Sequence, residues 1–307
     1  MKKIVIVSTA TYNGGVVVLL LLCKMLCERG FDAKVFFLNY CPNSNKNLKY
    51  VKFLLKSLKL GLRVLFRDIG EKIGLLKPNE LFIKCKHKYL PWVSDDTIVL
   101  YPELVYGNPL RAKNVVRWFL FHNRFPDSPD AYGKNELVFS FREYFNDYNL
   151  NPSCRLLNLN YFNKNLYKQT NFGERQGVCY IIRKGKNRPD LPKTFDGPVI
   201  DNLSEKEKVA VFNKCKFCYD YDTQTFYASI AVVCGCVPIV VMEPGKTKED
   251  YLGIGDKDWG KAYGETPEEI EYAVKTRPLR LKMLNFDEQN RKSVDFFLSE
   301  IHKHFDR

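Results

Sequence analysis

The amino-acid sequence predicts an α/β fold made of two doubly wound units, on three observations. Short β-type apolar runs alternate with helical stretches along most of the chain. Polar or glycine-bearing turns stand at the carboxyl ends of the predicted strands, where open parallel sheets carry their sites. One segment, Tyr219–Val241 (YDYDTQTFYASIAVVCGCVPIVV), reads strand end, polar turn, apolar helix, glycine stop and strand. Its helix, from Thr225 to Cys234, is apolar on almost every face, so it is expected to be buried on all sides. The polar end is then the N-terminal one, where Asp222, Thr223 and Thr225 cluster. Free backbone N–H groups and the positive end of the helix dipole make such a place suited to an anion.

With 307 residues, the chain has room for two domains of ordinary size. An apolar fraction of 45% and an aromatic fraction of 14% exclude a disordered chain. The net charge of +13 points to an anionic partner: phosphate, nucleic acid or a membrane surface. The 10 cysteines lie mostly inside apolar runs, as small buried hydrophobes do. Cys215-x-x-Cys218 and Cys234-x-Cys236 have zinc-like spacing, but no histidine lies nearby and Cys234 falls in the buried helix. No metal and no cofactor are therefore expected. The start, Met1-Lys2-Lys3 with Leu20-Leu21-Leu22-Cys23 further on, has a superficial likeness to a lipoprotein leader. The apolar run is broken by Thr9, Thr11 and Asn13-Gly14-Gly15, and Leu22 precedes the cysteine where a small residue is needed. A cytoplasmic protein is expected, with peripheral attachment to the inner face of a membrane as an option.

Taken in order, Lys3–Ser8 (KIVIVS) is a buried strand, Gly14-Gly15 a turn, Val16–Arg29 a helix and Lys34–Leu38 a second strand. This is a βαβ unit without the GxGxxG of dinucleotide binding. Gly14 and Gly15 either open a helix or let the backbone approach a ligand phosphate closely. Between residues 46 and 67 the cations Lys46, Lys49, Lys52, Lys56, Lys59, Arg63 and Arg67 recur every three or four positions with no acid among them. They form one stripe of a helix, interrupted at Gly61, with Leu48, Val51, Leu54, Leu55, Leu58, Leu62 and Leu65 on the other side. A solvated basic face, a nucleic-acid groove and contact with anionic lipid headgroups are the three readings. The last would use Lys49, Lys52, Lys56, Lys59 and Arg63.

Thr97–Tyr101, Val115–Phe121 and Leu137–Phe139 are further strand runs, each followed by polar residues. After the stretch 151–174, which has no clear period, a second βαβ series begins. Val178–Ile182 ends at Arg183-Lys184-Gly185, Val199-Ile200 is short, and Ser204–Lys214 is a helix with a capping box from Ser204 to Glu207. Helices over 267–274 and 287–305 close the chain. The expected domains are 1–165, 166–285 and a C-terminal helix, 286–307, able to pack back on the first.

Two βαβ series, a linker and a terminal helix match the layout of GT-B glycosyltransferases, which are two Rossmann-like domains facing a cleft. The order of several short patterns resembles bacterial sugar transferases of surface-polysaccharide gene clusters. These are Tyr101-Pro102-Glu103, Gly107-Asn108-Pro109, Val115-Val116-Arg117-Trp118, Glu136–Ser140, Tyr180 with Arg183-Lys184-Gly185, Tyr221-Asp222-x-x-Thr225 and Cys234-Gly235-Cys236-x-Pro238. The resemblance implies metal-independent transfer of a sugar from a nucleotide-sugar to a glycan or lipid-linked glycan. It places donor binding in the C-terminal domain and acceptor binding in the N-terminal one. Arg183 and Lys184 are the basic pair expected to stabilise the departing diphosphate. Asp222 is expected to cap the helix, leaving Thr223 and Thr225 for phosphate. Many retaining relatives carry a glutamate in the donor helix, where this chain has Ser229 and Ile230. Glu243, after the next strand, is the substitute candidate for the ribose.

An inverting reaction needs a base, for which Glu103, His122, Asp127 and Glu143 are available and Glu103 and His122 are preferred. Pairing of Glu103 with Arg117 is the structural alternative. Two other classes of function compete with sugar transfer. A nicotinamide-dependent, NAD(P)-using oxidoreductase lacks its glycine fingerprint and its ribose-binding acid. A nucleic-acid-binding protein would interleave basic residues with exposed aromatics, whereas the aromatics here fall largely inside apolar strands, so no nucleic acid is expected.

Overall fold

A computed structural model describes residues 3–10, 13–38, 47–77, 83–222, 225–252 and 257–305, with the backbone alone for 47–49. Two compact units are formed, one by Met1–Tyr161 with Phe286–Arg307 and one by Phe162–Asn285.

The first unit holds five strands: β1 (Lys3–Ser8), β2 (Asp32–Phe37), β3 (Ile98–Pro102), β4 (Asn114–Phe119) and β5 (Leu137–Ser140). They lie in the order β2-β1-β3-β4-β5, and every pairing is parallel. A fully parallel sheet must be covered on both faces, and alternate residues of β1 show how. Ile4 and Ile6 face a layer made by α1 (Gly14–Glu28) and α6 (Asp287–Phe305), where Leu22, Leu26, Val294, Phe297 and Ile301 are buried. Val5 and Val7 face the opposite core, with Phe36, Phe53, Val99 and Tyr101. Each such aliphatic side chain contributes roughly 1.5–3 kcal/mol by leaving water. The side chain of Asn13 accepts from Val16 N at 3.0 Å and so starts α1.

Helix α2 (Asn47–Lys72) runs unbroken through Gly61. The expected interruption is absent because Gly61 serves close packing: a Cβ there would stand 1.9 Å from the carbonyl oxygen of Tyr89. The expected strand through Phe121 stops at Phe119, and Phe121 and His122 are exposed beyond it.

The second unit holds β6 (Val178–Ile181), α3 (Glu205–Lys214), β7 (Phe217–Asp220), α4 (Tyr227–Cys234), β8 (Val237–Val240), β9 (Ala262–Tyr263) and α5 (Pro267–Met283). Its strands run β6-β7-β8-β9, again all parallel. Val199 adds a single parallel bridge to Tyr180 on the other side of β6. Counting that bridge, the second unit repeats the strand order of the first. Helix α4 is buried from Ala228 to Cys234, as an all-apolar helix must be. Helix α5 continues past the expected end at residue 274 with Pro278 inside it. Its later turns are fastened by arginines, Arg277 Nε donating to Val232 O at 2.8 Å and Arg280 Nε to Trp259 O at 2.7 Å.

One buried ion pair organises the outer strands of the first unit. Arg117, fully buried on β4, donates to both carboxylate oxygens of Glu136 at 2.8 Å. Two further N–H groups donate to Val105 O at 2.7 Å and Gly107 O at 2.9 Å. The alternative pairing of Arg117 with Glu103 is therefore corrected: the glutamate just before β5 takes the guanidinium. Glu136→Ala leaves an uncompensated buried cation and is expected to lower stability by ~3 kcal/mol or more, read from urea unfolding. A loss under ~1 kcal/mol would show that the backbone carbonyls alone satisfy Arg117.

Candidate functional site

In each unit the chain leaves a central strand to one side and later returns on the other, which creates a switch point at the carboxyl ends. In the first unit it lies between β1 and β3. In the second it lies between β6, flanked by the Val199 bridge, and β7.

Four of the eight expected donor residues, Arg183, Lys184, Asp222 and Thr225, follow the two strands that flank the β6/β7 switch point. A 3₁₀ turn, Arg183–Gly185, follows β6, and its two cations are exposed. The amides of Ile182 and Arg183 both donate to Asp201 Oδ2 at 3.0 Å, which fixes the start of this turn. Gly185 is buried against the loop after β7, where a Cβ would stand 2.3 Å from Tyr221 O. This contact sets the Arg183-Lys184 loop beside Asp222, and Lys184 Nζ lies 4.0 Å from Asp222 Oδ1. Arg188 ties in the third loop: its Nη1 donates to Val241 O at 2.7 Å, and Asp190 holds the guanidinium through Nε at 2.9 Å.

Two carboxylates at the end of β7 stand out. Asp220 and Asp222 are 1% and 2% exposed. Asp220 Oδ1 and both oxygens of Asp222 find no hydrogen-bond partner among the described residues. Burial pushes the Asp220 carboxyl well above the usual range; Lys261 opposes this and Asp222 reinforces it. The expected capping role of Asp222 is corrected. Helix α4 begins at Tyr227, two residues later than Thr225, and no side chain caps it. Thr225 is half-buried, and its Oγ1 accepts from Tyr227 N at 3.2 Å. Thr223 lies outside the described residues. Phe226, just before α4, is exposed, while the helix is buried from Ala228 onward.

The first turn of α4 is instead held by a polar network in which Tyr227 Oη donates to Glu205 Oε1 at 2.6 Å. Lys208 Nζ donates to Glu205 Oε1 at 2.8 Å and to Tyr227 Oη at 3.1 Å. Glu243 is half-buried after β8. Its amide donates to Tyr251 Oη at 2.6 Å, and its carboxylate lies 3.8 Å from Lys246 Nζ.

The remaining expected residues belong to the first unit. Gly14 and Gly15 open α1 after β1; Gly14 is exposed, and a Cβ on Gly15 would meet Leu120 Cδ1 at 3.3 Å. Glu103, 7% exposed just after β3, accepts from Leu120 N through Oε2 at 2.9 Å. Burial raises its pKa, and the amide bonds and Arg117 hold the rise back. His122 is exposed among aromatic edges, with ring centroids 4.8 Å from Phe121 and 4.9 Å from Tyr144. Gly14, Gly15, Glu103 and His122 thus occupy one rim of the first sheet. Asp127 and Glu143 are exposed, and Glu143 accepts from Tyr148 Oη at 3.0 Å. The described cysteines of the second unit pack as small apolar side chains, Cys179, Cys215, Cys218, Cys234 and Cys236 all being buried. Among the described residues no group of three or more His, Cys, Asp or Glu could hold a metal ion.

No family model matches the chain, and no curated protein matches it. Among solved structures it is similar to the glycotransferase of kitacinnamycin, at 10% identity over 99% of this chain and 95% of that one, with a TM-score of 0.33. A likeness of that size carries no argument about chemistry. The residues themselves must supply it.

In the sequence Asp220 reads only as the first residue of the polar turn that follows an apolar run, and its burial cannot be seen there. Its raised pKa means that the folded state binds a proton more readily than the unfolded chain. Stability from this group is full below the ordinary carboxylate range and is lost as pH rises towards the higher folded value. Asp220→Asn is accordingly expected to raise the melting temperature at neutral pH, with the gain shrinking as the pH falls towards the ordinary carboxylate range and absent below it. A lower melting temperature at neutral pH would instead mean a charged, well-paired Asp220.

Proposed function

We propose that this chain is a glycosyltransferase that moves a sugar from a nucleotide-sugar donor to a glycan or lipid-linked glycan without a metal ion. The observation that carries the reading is the β6/β7 switch point. There two exposed cations stand beside an orphaned buried carboxylate, Asp222. Arg183 and Lys184 suit a diphosphate, whose charge grows as the nucleotide leaves. Asp222 suits a different part of the same donor. A buried carboxylate with no donor of its own favours ligand hydroxyls, so the ribose or sugar is its proposed partner. Glu243 is the second candidate for the ribose. On the first unit's rim, Glu103 and His122 are the proposed proton acceptors. A carboxyl raised by burial is closer to the range useful for general base work.

The reading is tested by thermal shift with UDP, GDP and nucleotide-sugars, because a ligand of the native state raises the melting point by mass action. Arg183→Ala and Lys184→Ala are each expected to weaken the stabilising diphosphate roughly tenfold, the loss of one charge-assisted contact. Unchanged affinity in both would remove the basic pair from the site. EDTA is expected to leave sugar transfer intact, and a strict Mn²⁺ or Mg²⁺ requirement would contradict the metal-free scheme.

A further inference from the structure

Helix α2 divides its surface into three sectors, where the sequence divides it into two. Phe53, Ser57, Leu60, Gly61 and Val64 are buried against the first unit. Lys52, Lys56, Lys59, Arg63 and Arg67 form an exposed stripe at steps of three and four. Between these sectors runs a stripe of large apolar side chains that is also exposed: Val51, Leu55, Leu62, Phe66 and Ile69, continued past the helix end by Ile73. Phe66 is 69% exposed and Leu55 62%. Three of these, Val51, Leu55 and Leu62, are residues that the sequence pattern assigns to the side away from the cations. The core takes a narrower face than the pattern allows, and they are left over. Exposed singly, such residues need no explanation; aligned along one helix, they mark an interaction surface.

We infer that this face docks on a bilayer containing anionic lipid. With 26 residues, α2 is about 39 Å long. Among the described residues no helix is long and apolar enough to cross a membrane, so α2 would lie along the surface. Its apolar stripe would enter the boundary between headgroups and acyl chains. The neighbouring lysines and arginine would extend their alkyl stems beside it and keep their charges at headgroup level. Lys52, Lys59 and Arg63 carry no ion pair among the described residues, so their charge is available to anionic headgroups. Charge complementarity selects the occupant. No acid occurs between residues 46 and 67, so a second copy of the same face would set cation against cation. An anionic bilayer supplies both the missing charge and the apolar phase. The inference stands apart from the sugar-transfer reading, since it uses none of that site's residues.

The test is co-sedimentation of the full chain with phosphatidylcholine vesicles, with and without phosphatidylglycerol. Binding is expected only where phosphatidylglycerol is present, and it is expected to weaken as salt is added. Replacing Lys52, Lys59 and Arg63 together by Gln is expected to weaken that binding on the order of a hundredfold. Leu55→Ser with Phe66→Ser is expected to weaken it about tenfold or more while the melting temperature is kept, because both side chains are already exposed. Equal binding to neutral and anionic vesicles, or none to either, would overturn the inference. So would a double serine variant that binds as the parent does. Gel filtration showing a dimer that the serine variant dissolves, with no vesicle binding, would assign the face to a second copy instead.

Discussion

Parallel pairing is the constraint from which the rest of this structure follows. Each sheet has all its strands pointing one way, so each must be roofed on both faces and each presents all its carboxyl ends on one rim. Roofing explains the unusual greasiness of α1 and α4, whose side chains are buried along nearly their whole length. The shared rim explains why chemistry-bearing residues distant in sequence become neighbours. Residues 183 and 222 are separated by a helix and a strand, yet the pairing of β6 with β7 makes their loops adjacent.

The second unit shows how such a rim acquires character. Its loops bring cations and carboxylates together, and the carboxylates are the more heavily desolvated partners. Asp220 sits among Lys261, Asp222 and Asp201, and burial outweighs the attraction of the lysine. Asp222 has only the edge of Lys184's reach. A fold maintains such costly groups without partners only where the rest of the structure over-determines them, and strain of that kind gathers at functional positions.

Much of this was legible in the sequence, and the exceptions have physical causes. Strand runs such as KIVIVS and VCYII announce themselves by continuous apolar composition, and the capping box from Ser204 to Glu207 forms as its spacing implies. The switch-point position of Arg183 and Lys184 could be read from the strand preceding them. Partnerships between residues distant in sequence could not. Arg117 pairs with Glu136 rather than Glu103 because β5 follows directly on Glu136 and brings it alongside β4, a matter of sheet order and not of local pattern. The start of α4 slipped because a Tyr227–Glu205 bond anchors it in place of an aspartate cap. Helix α2 misled in another way. Periodicity reports which residues share a side, but only packing decides how much of an apolar side is used.

Arg188 has a consequence of its own. One guanidinium, almost wholly enclosed, reaches the backbone beyond β8 and, at 3.5 Å, that beyond β7, and it rises from the loop after β6. Three segments that would otherwise fluctuate independently are thereby moored to a single planar cation. On the proposed function, a donor arriving there would meet loops already fastened, and would surrender little of its free energy of association to freezing them.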